Sequence, residues 1–131
     1  MLRLMSFDWK GYLAIAQAMA QLGNSPTNEP HYRTAVSRAY YYAFNNAVLR
    51  LESREPNAKI ERKYRGPGAH SIVWSRFGSL GSTGRRIADA GNSLKRWREW
   101  ADYEEDASFE QKDATAASLR AQMIIVLLPN V

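Results

Sequence analysis

The sequence predicts an all-α protein, a single-domain up-and-down bundle of about five helices. Three observations carry this. Apolar residues recur at three- and four-residue spacing in five stretches. Nothing alternates convincingly at period two. The breaks between the stretches are rich in Gly, Pro, Asn, Ser or charge, the residues that end helices and make turns. At 131 residues the chain is long enough to bury a proper core.

The first helix is expected over residues 9–22, with Trp9, Tyr12, Leu13, Ala16, Met19 and Ala20 on one face. Ser6 or Asp8 would cap it and Gly23 would end it. Residues 24–30, NSPTNEP, read as a loop whose Pro30 opens the next helix. That helix, residues 31–51 (HYRTAVSRAYYYAFNNAVLRL), is uninterrupted by Gly or Pro and organises the rest. At about 100° per residue, Val36, Ala43, Phe44, Ala47 and Leu51 share the side of Tyr40, while Ala35, Tyr42 and Leu49 lie opposite. A helix apolar on two faces is central to a bundle or to a dimer. Arg38 falls on the second face, beside Tyr42 and Asn45. A guanidinium there needs an anion, either the Asp102 carboxylate or a ligand phosphate.

Residues 57–69 read as a polar connection carrying Lys59, Arg62, Lys63 and Arg65 and closed by a turn at Gly66-Pro67-Gly68. A shorter helix over 69–80 carries Ile72, Val73, Arg76, Phe77 and Leu80. Residues 78–84, GSLGSTG, are expected to be a flexible linker, since their three glycines fit no nucleotide-binding fingerprint. The fourth helix, 85–105, places Ile87, Ala90, Leu94, Trp97 and Ala101 on a core face bordered by Arg98 and Asp102. Asp106 or Ser108 would cap the last helix, with Glu110 and Asp113 in its first turns. Its core face is Ala114, Ala117, Ala121, Ile124, Ile125 and Leu128, and Pro129 stops it.

Net charge is +5, unevenly spread: residues 1–98 hold 16 Lys/Arg against 6 Asp/Glu, and residues 99–131 hold 2 against 7. A basic body suits an anionic ligand or nucleic acid, or contacts between subunits; the plainer reading is a solvated basic surface. The chain has no cysteine, so disulfides, thiolate nucleophiles and cysteine metal sites are excluded. No His/Asp/Glu cluster has metal-ligand spacing, and no cofactor is expected. No signal-peptide stretch or membrane-length apolar run is present, so the expected setting is cytoplasmic, away from membranes.

Arg98 and Asp102, i and i+4, permit an ion pair, and if their helix packs against the second one Asp102 also reaches Arg38. The functional reading is an arginine pair holding phosphate, oriented by Asp102 and Tyr103; the structural one is an ion-pair network fixing helix register. His70 can serve as a general acid or base, though a helix-start His bonded to a neighbour is the plainer reading, and His31 faces solvent. Tyr40, Tyr41 and Tyr42 span about 200°, too wide for one bundle face, so at least one meets solvent, a partner or a base. Trp74 and Trp100 lie off the main stripes of their helices and leave aromatic surface to cover, which predicts a homodimer.

Three pieces, in order, resemble the HEPN domain (higher eukaryotes and prokaryotes nucleotide-binding). They are Ser37-Arg38-Ala39-Tyr40-Tyr41-Tyr42-Ala43-Phe44, then Gly68-Ala69-His70 leading into a helix that ends near Phe77, then Arg98-Glu99-Trp100-Ala101-Asp102-Tyr103. With helix order and spacing the resemblance covers nearly all of residues 1–131. It implies an up-and-down helical bundle that commonly dimerises, with roles in nucleotide or RNA binding, often in toxin–antitoxin or defence systems beside a partner protein encoded nearby. Many members are metal-independent endoribonucleases using Arg, four to six residues, then His. Here Tyr103 stands where that pattern has His after Arg98. Related non-nuclease members are similar in carrying Arg-x-x-Ala-Asp-Tyr.

The function expected first is therefore a non-catalytic nucleotide- or RNA-binding module, using Arg38, Tyr42, Arg98, Asp102 and Tyr103 for the ligand and Lys59, Arg62, Lys63 and Arg65 for the nucleic-acid backbone. The second is an endoribonuclease built on Arg65 and His70, which have four residues between them. The third is a structural protein-interaction domain. Arg65 and His70 converging in one cleft would favour the second.

Overall fold

A computed structural model describes residues 8–131. Six α-helices follow in order: α1 Lys10–Ala20, α2 Glu29–Arg54, α3 Pro56–Ile60, α4 Ala69–Gly78, α5 Gly81–Tyr103 and α6 Gln111–Leu127. Short 3-10 turns at Pro26–Asn28 and Leu128–Asn130 complete the order, and the described residues contain no strand. The protein is an all-α helical bundle. Asp8 accepts a bond from the Lys10 amide (2.9 Å) at the start of α1, while Ser6, the other expected cap, lies outside the described residues.

α2 is the central helix, packed against α1, α5 and α6. Pro30 presets its first turn, where no amide hydrogen bond is lost, and Pro56 stops it. Ala35, Ala39, Ala43 and Ala47 are all fully buried, an i+4 ridge of short side chains over which neighbouring helices approach closely. Tyr40, Val36 and Leu51 fill the core beside it. Leu49, expected on a second buried face, is 42% exposed: that face is covered near Ala35 and Tyr42 but open two turns beyond.

The region expected to be a polar connection contains α3 and buries Tyr64 completely. The Tyr64 hydroxyl donates to Glu55 (2.9 Å), so a polar sequence closes into an ordered corner. Residues 78–84 are not a linker. Only Ser79 and Leu80 separate α4 from α5, and Gly81, at φ +78°, makes the reversal. Gly84 is buried within α5, where a Cβ would stand 2.3 Å from the Phe77 carbonyl oxygen. Gly91 does the same service further along: a Cβ there would come within 2.3–2.5 Å of the Trp74 ring. Trp74 is therefore core, fully buried against α5, and the expectation that it supplies surface for a partner is corrected; Trp100 is 47% exposed.

The crossing from α5 to α6 is held by Arg33. Its guanidinium donates to the carbonyls of Trp100 (3.1 Å), Ala101 (3.1 Å), Glu104 (2.9 Å) and Ala107, and pairs with Glu29 (3.1 Å). A cation among the last carbonyls of a helix satisfies orphan acceptors and meets the negative end of its dipole. The cap of α6 is Glu110 rather than Asp106 or Ser108. Its amide donates to Asp113 (2.8 Å) and its carboxylate accepts from the Asp113 amide, a reciprocal capping box.

Candidate nucleotide site

Arg38, Tyr41 and Asn45 stand at i, i+3 and i+7 on α2 and present one face. Trp9, just before α1, and Tyr12 of α1 stand across from them, and with Phe44 they line a cleft of about 400 Å³. The Arg38 guanidinium lies over the Tyr12 ring (4.8 Å to its centre) and the Tyr41 ring (5.4 Å). Its Nη2 donates to Ser37 Oγ (3.2 Å), and among the described residues no carboxylate pairs with it.

Arg98 approaches Tyr41 from α5. Its guanidinium carbon is 5.6 Å from the Tyr41 ring centre and 5.5 Å from that of Tyr40. The residue is only 8% exposed, its contact with Asp102 is long (Nη1 to Oδ2, 3.7 Å), and its buried Nε has no acceptor. Ser37 donates to the same Asp102 oxygen (3.4 Å) while accepting from Arg38. Two guanidiniums thus flank one tyrosine ring with a single carboxylate between them. That carboxylate belongs to Arg98, and Arg38 reaches it only through the Ser37 hydroxyl.

Of the expected ligand residues, Arg38, Arg98 and Asp102 come together. Tyr42 does not join them: it is buried in the core, where burial and then the charge of Asp8 push its phenol up. Tyr41 takes the place beside Arg38. Tyr103 ends α5, 77% exposed.

A second cleft, about 230 Å³, adjoins the first across Phe44 and Asn45 and is lined also by Val48, Arg62, Tyr64, Arg65, Gly66, Ala69 and His70. Arg65 and His70 therefore share a cleft, but each is engaged. Arg65 Nε and Nη2 bind the two oxygens of Glu52 (2.8 and 2.6 Å), a buried carboxylate that this bidentate bond holds below its usual range. His70 stacks on Phe44 (4.1 Å between ring centres) and meets the Tyr40 hydroxyl at Nδ1 (2.6 Å). The indole of Trp74, a donor only, gives its N–H to the same hydroxyl (3.1 Å). Tyr40 then donates onward, so His70 accepts at Nδ1 and carries its proton on Nε2. Burial first, then the charges of Arg98 and Lys95, hold the imidazole below its usual range and favour the neutral ring. Burial likewise pushes the Tyr40 phenol up, keeping its proton.

The four cations expected to grip a phosphate backbone divide. Arg62 and Arg65 line the second cleft, Lys63 lines a shallow surface against α4, and Lys59 is simply exposed. His31 is exposed at the start of α2. No group of three or more His, Asp or Glu among the described residues could hold a metal ion, and none of their helices is long and apolar enough to cross a membrane.

Sequence spacing alone gave no way to choose Tyr41 over Tyr42, nor to find Ser37 as a bridge or Glu52 as the partner of Arg65. Trp9 and Tyr12 were legible only as core. Comparison with protein-family models finds no match, and neither comparison with curated proteins nor comparison with solved structures finds one.

Proposed function

We propose that the chain is a HEPN-like nucleotide- or RNA-binding module, non-catalytic, working as a homodimer or beside a partner protein encoded nearby, in a toxin–antitoxin or defence setting. One observation carries the binding reading. Arg38 and Arg98 converge on Tyr41 with one carboxylate between them, and a buried Nε of Arg98 lacks an acceptor. One carboxylate leaves the two positive charges only half answered, and a phosphate is the anion that guanidiniums take best. The cleft beside them is walled by Trp9, Tyr12 and Tyr41, aromatic residues of the type that bound bases pack against. Titration of a short single-stranded RNA and of AMP tests this. Arg38→Ala is expected to weaken binding about tenfold, a loss of ~1.4 kcal/mol, with the fold intact.

The second reading, an endoribonuclease using Arg65 and His70, is favoured by their sharing a cleft. Against it, the Arg65 charge is answered by Glu52. A base at His70 Nε2 would need the other tautomer, leaving Tyr40 accepting from both Trp74 and His70. Incubation with total RNA, with and without chelator, separates the two: retention without cleavage supports the binding module, and chelator-resistant cleavage abolished by His70→Ala supports the nuclease.

A further inference from the structure

The two clefts share the walls Phe44 and Asn45, so they run into one another along α2. From Arg38 in the first to Val48 in the second the helix advances about 15 Å, against about 3.4 Å for each phosphate of a stacked strand. A single nucleotide leaves most of that length empty.

The second cleft has a cation to offer at its far end. α3 ends in a hydrogen-bonded reversal: the Lys63 amide donates to the Ala58 carbonyl (2.9 Å) and the Arg62 amide to the Lys59 carbonyl (3.1 Å). That pattern sets the residue after the cap in the left-handed region, where glycine is the usual occupant. Arg62 is there instead, at φ +56°, the only positive φ among the described non-glycine residues. A residue with a Cβ is strained in that conformation. Arg62 is exposed and lines the cleft, and among the described residues no carboxylate pairs with it. The Glu52 carboxylate is taken by the bidentate bond of Arg65, and the charges of Lys59 and Arg62 reach it only across space. A five-residue helix has little dipole for a terminal cation to meet. The strained turn thus keeps in the cleft a guanidinium that the protein's own contacts do not use. His70, in the same wall, adds an Nε2–H with no acceptor among the described residues.

We propose that the two clefts form one groove for a single strand of RNA, with Arg38, beside Arg98, holding one phosphate and Arg62 a later one. The proposal rests on the nucleotide-binding reading of the first cleft and deepens it, from a site for a nucleotide to a site for several in a row. A mononucleotide reaches one end of the groove. A nucleoside triphosphate bunches its charges together and also serves one end. Only a strand sets separate phosphates at both.

Calorimetric titration of the whole chain with AMP, ATP and an adenine tetranucleotide RNA, at one salt concentration, tests this on wild type, Arg62→Gly and Arg86→Ala. Glycine relieves the strained turn, so circular dichroism should show Arg62→Gly melting no lower than wild type. Arg86 is exposed on α5 and lines neither cleft, so its removal controls for the loss of one positive charge. Wild type is expected to bind the tetranucleotide about tenfold more tightly than AMP or ATP. Arg62→Gly should lose most of that margin and keep its AMP affinity, and Arg86→Ala should change the margin by no more than about twofold. AMP and tetranucleotide bound alike, a margin that survives Arg62→Gly, or an equal loss with Arg86→Ala would overturn the groove and leave the first cleft a nucleotide site. So would ATP sharing the margin that depends on Arg62. A marked drop in melting for Arg62→Gly would make Arg62 structural and overturn the proposal as well. Wild type binding neither AMP nor RNA would overturn the nucleotide-binding reading itself.

Discussion

The two adjoining clefts contain the same residue type in opposite states. In one, Arg65 is clamped by both oxygens of a buried Glu52. In the other, Arg38 touches two aromatic rings and a serine hydroxyl and has no carboxylate of its own among the described residues. Both are arginines near aromatics on a basic chain, and nothing in the sequence says which of them finds a carboxylate inside the protein. The pairing decides what each can do. A guanidinium whose charge is answered inside the protein stabilises the fold; one left over is available to a ligand.

The largest expected effect breaks the first cleft from the second by stability. Arg65→Ala strands Glu52 in the core, and melting should report a loss of about 2–3 kcal/mol, the lower end for a broken buried pair because water enters where the half-exposed guanidinium stood. RNA binding by the folded fraction should barely change. An Arg65→Ala variant that melts like wild type would mean that the Glu52 bond carries no stability, and the two clefts would no longer differ.

Acid dependence sharpens the same point. The Glu52 carboxyl sits below its ordinary 4.5 in the folded protein. Its contribution is fully present above that ordinary value and is lost as pH falls through the lower folded one. Arg65→Ala should remove this part of the acid sensitivity, and melting curves from pH 6 to about 3 read it. If wild type and variant lose stability in parallel, the depression of Glu52 comes from elsewhere.

How much of this was legible in the sequence follows from how far apart the partners lie along the chain. The long helices announced themselves because each buries residues at i, i+3 and i+4, a local signal. Arg98 and Asp102, four apart, were foreseeable for the same reason. The clamp joining Arg65 to Glu52 spans a helix end, a short helix and a corner, and nothing local marks it. Gly91 was unreadable as a packing residue because the tryptophan it admits comes from another helix. Residues 78–84 looked flexible because glycine is also the residue of close approach: Gly84 is buried against Phe77, not free. The α6 cap was misplaced because Glu110 is an uncommon N-cap, made workable by reciprocity with Asp113.

A smaller effect concerns His70, the remaining residue of the second cleft. Its folded value lies below the ordinary 6.5, so the stability it contributes is present above that value and lost as pH falls through the folded one. NMR titration of the imidazole should give a midpoint below 6.5, and Trp74→Phe, which removes the donor to Tyr40, should move that midpoint. A midpoint above 6.5 would return His70 to the reach of acid–base chemistry and favour the nuclease reading.

The central claim is that Arg38 is free for phosphate while Arg65 is not, and paired measurements on one Arg38→Ala preparation test it most directly. Thermal melting and titration with a short single-stranded RNA are read on the same sample. The expected result is a melting loss of about 1 kcal/mol or less, the scale of partly exposed contacts with two rings and no stranded charge, with RNA affinity down about tenfold. Unchanged affinity together with a large loss of stability would contradict it, and would make Arg38 a structural residue like Arg65.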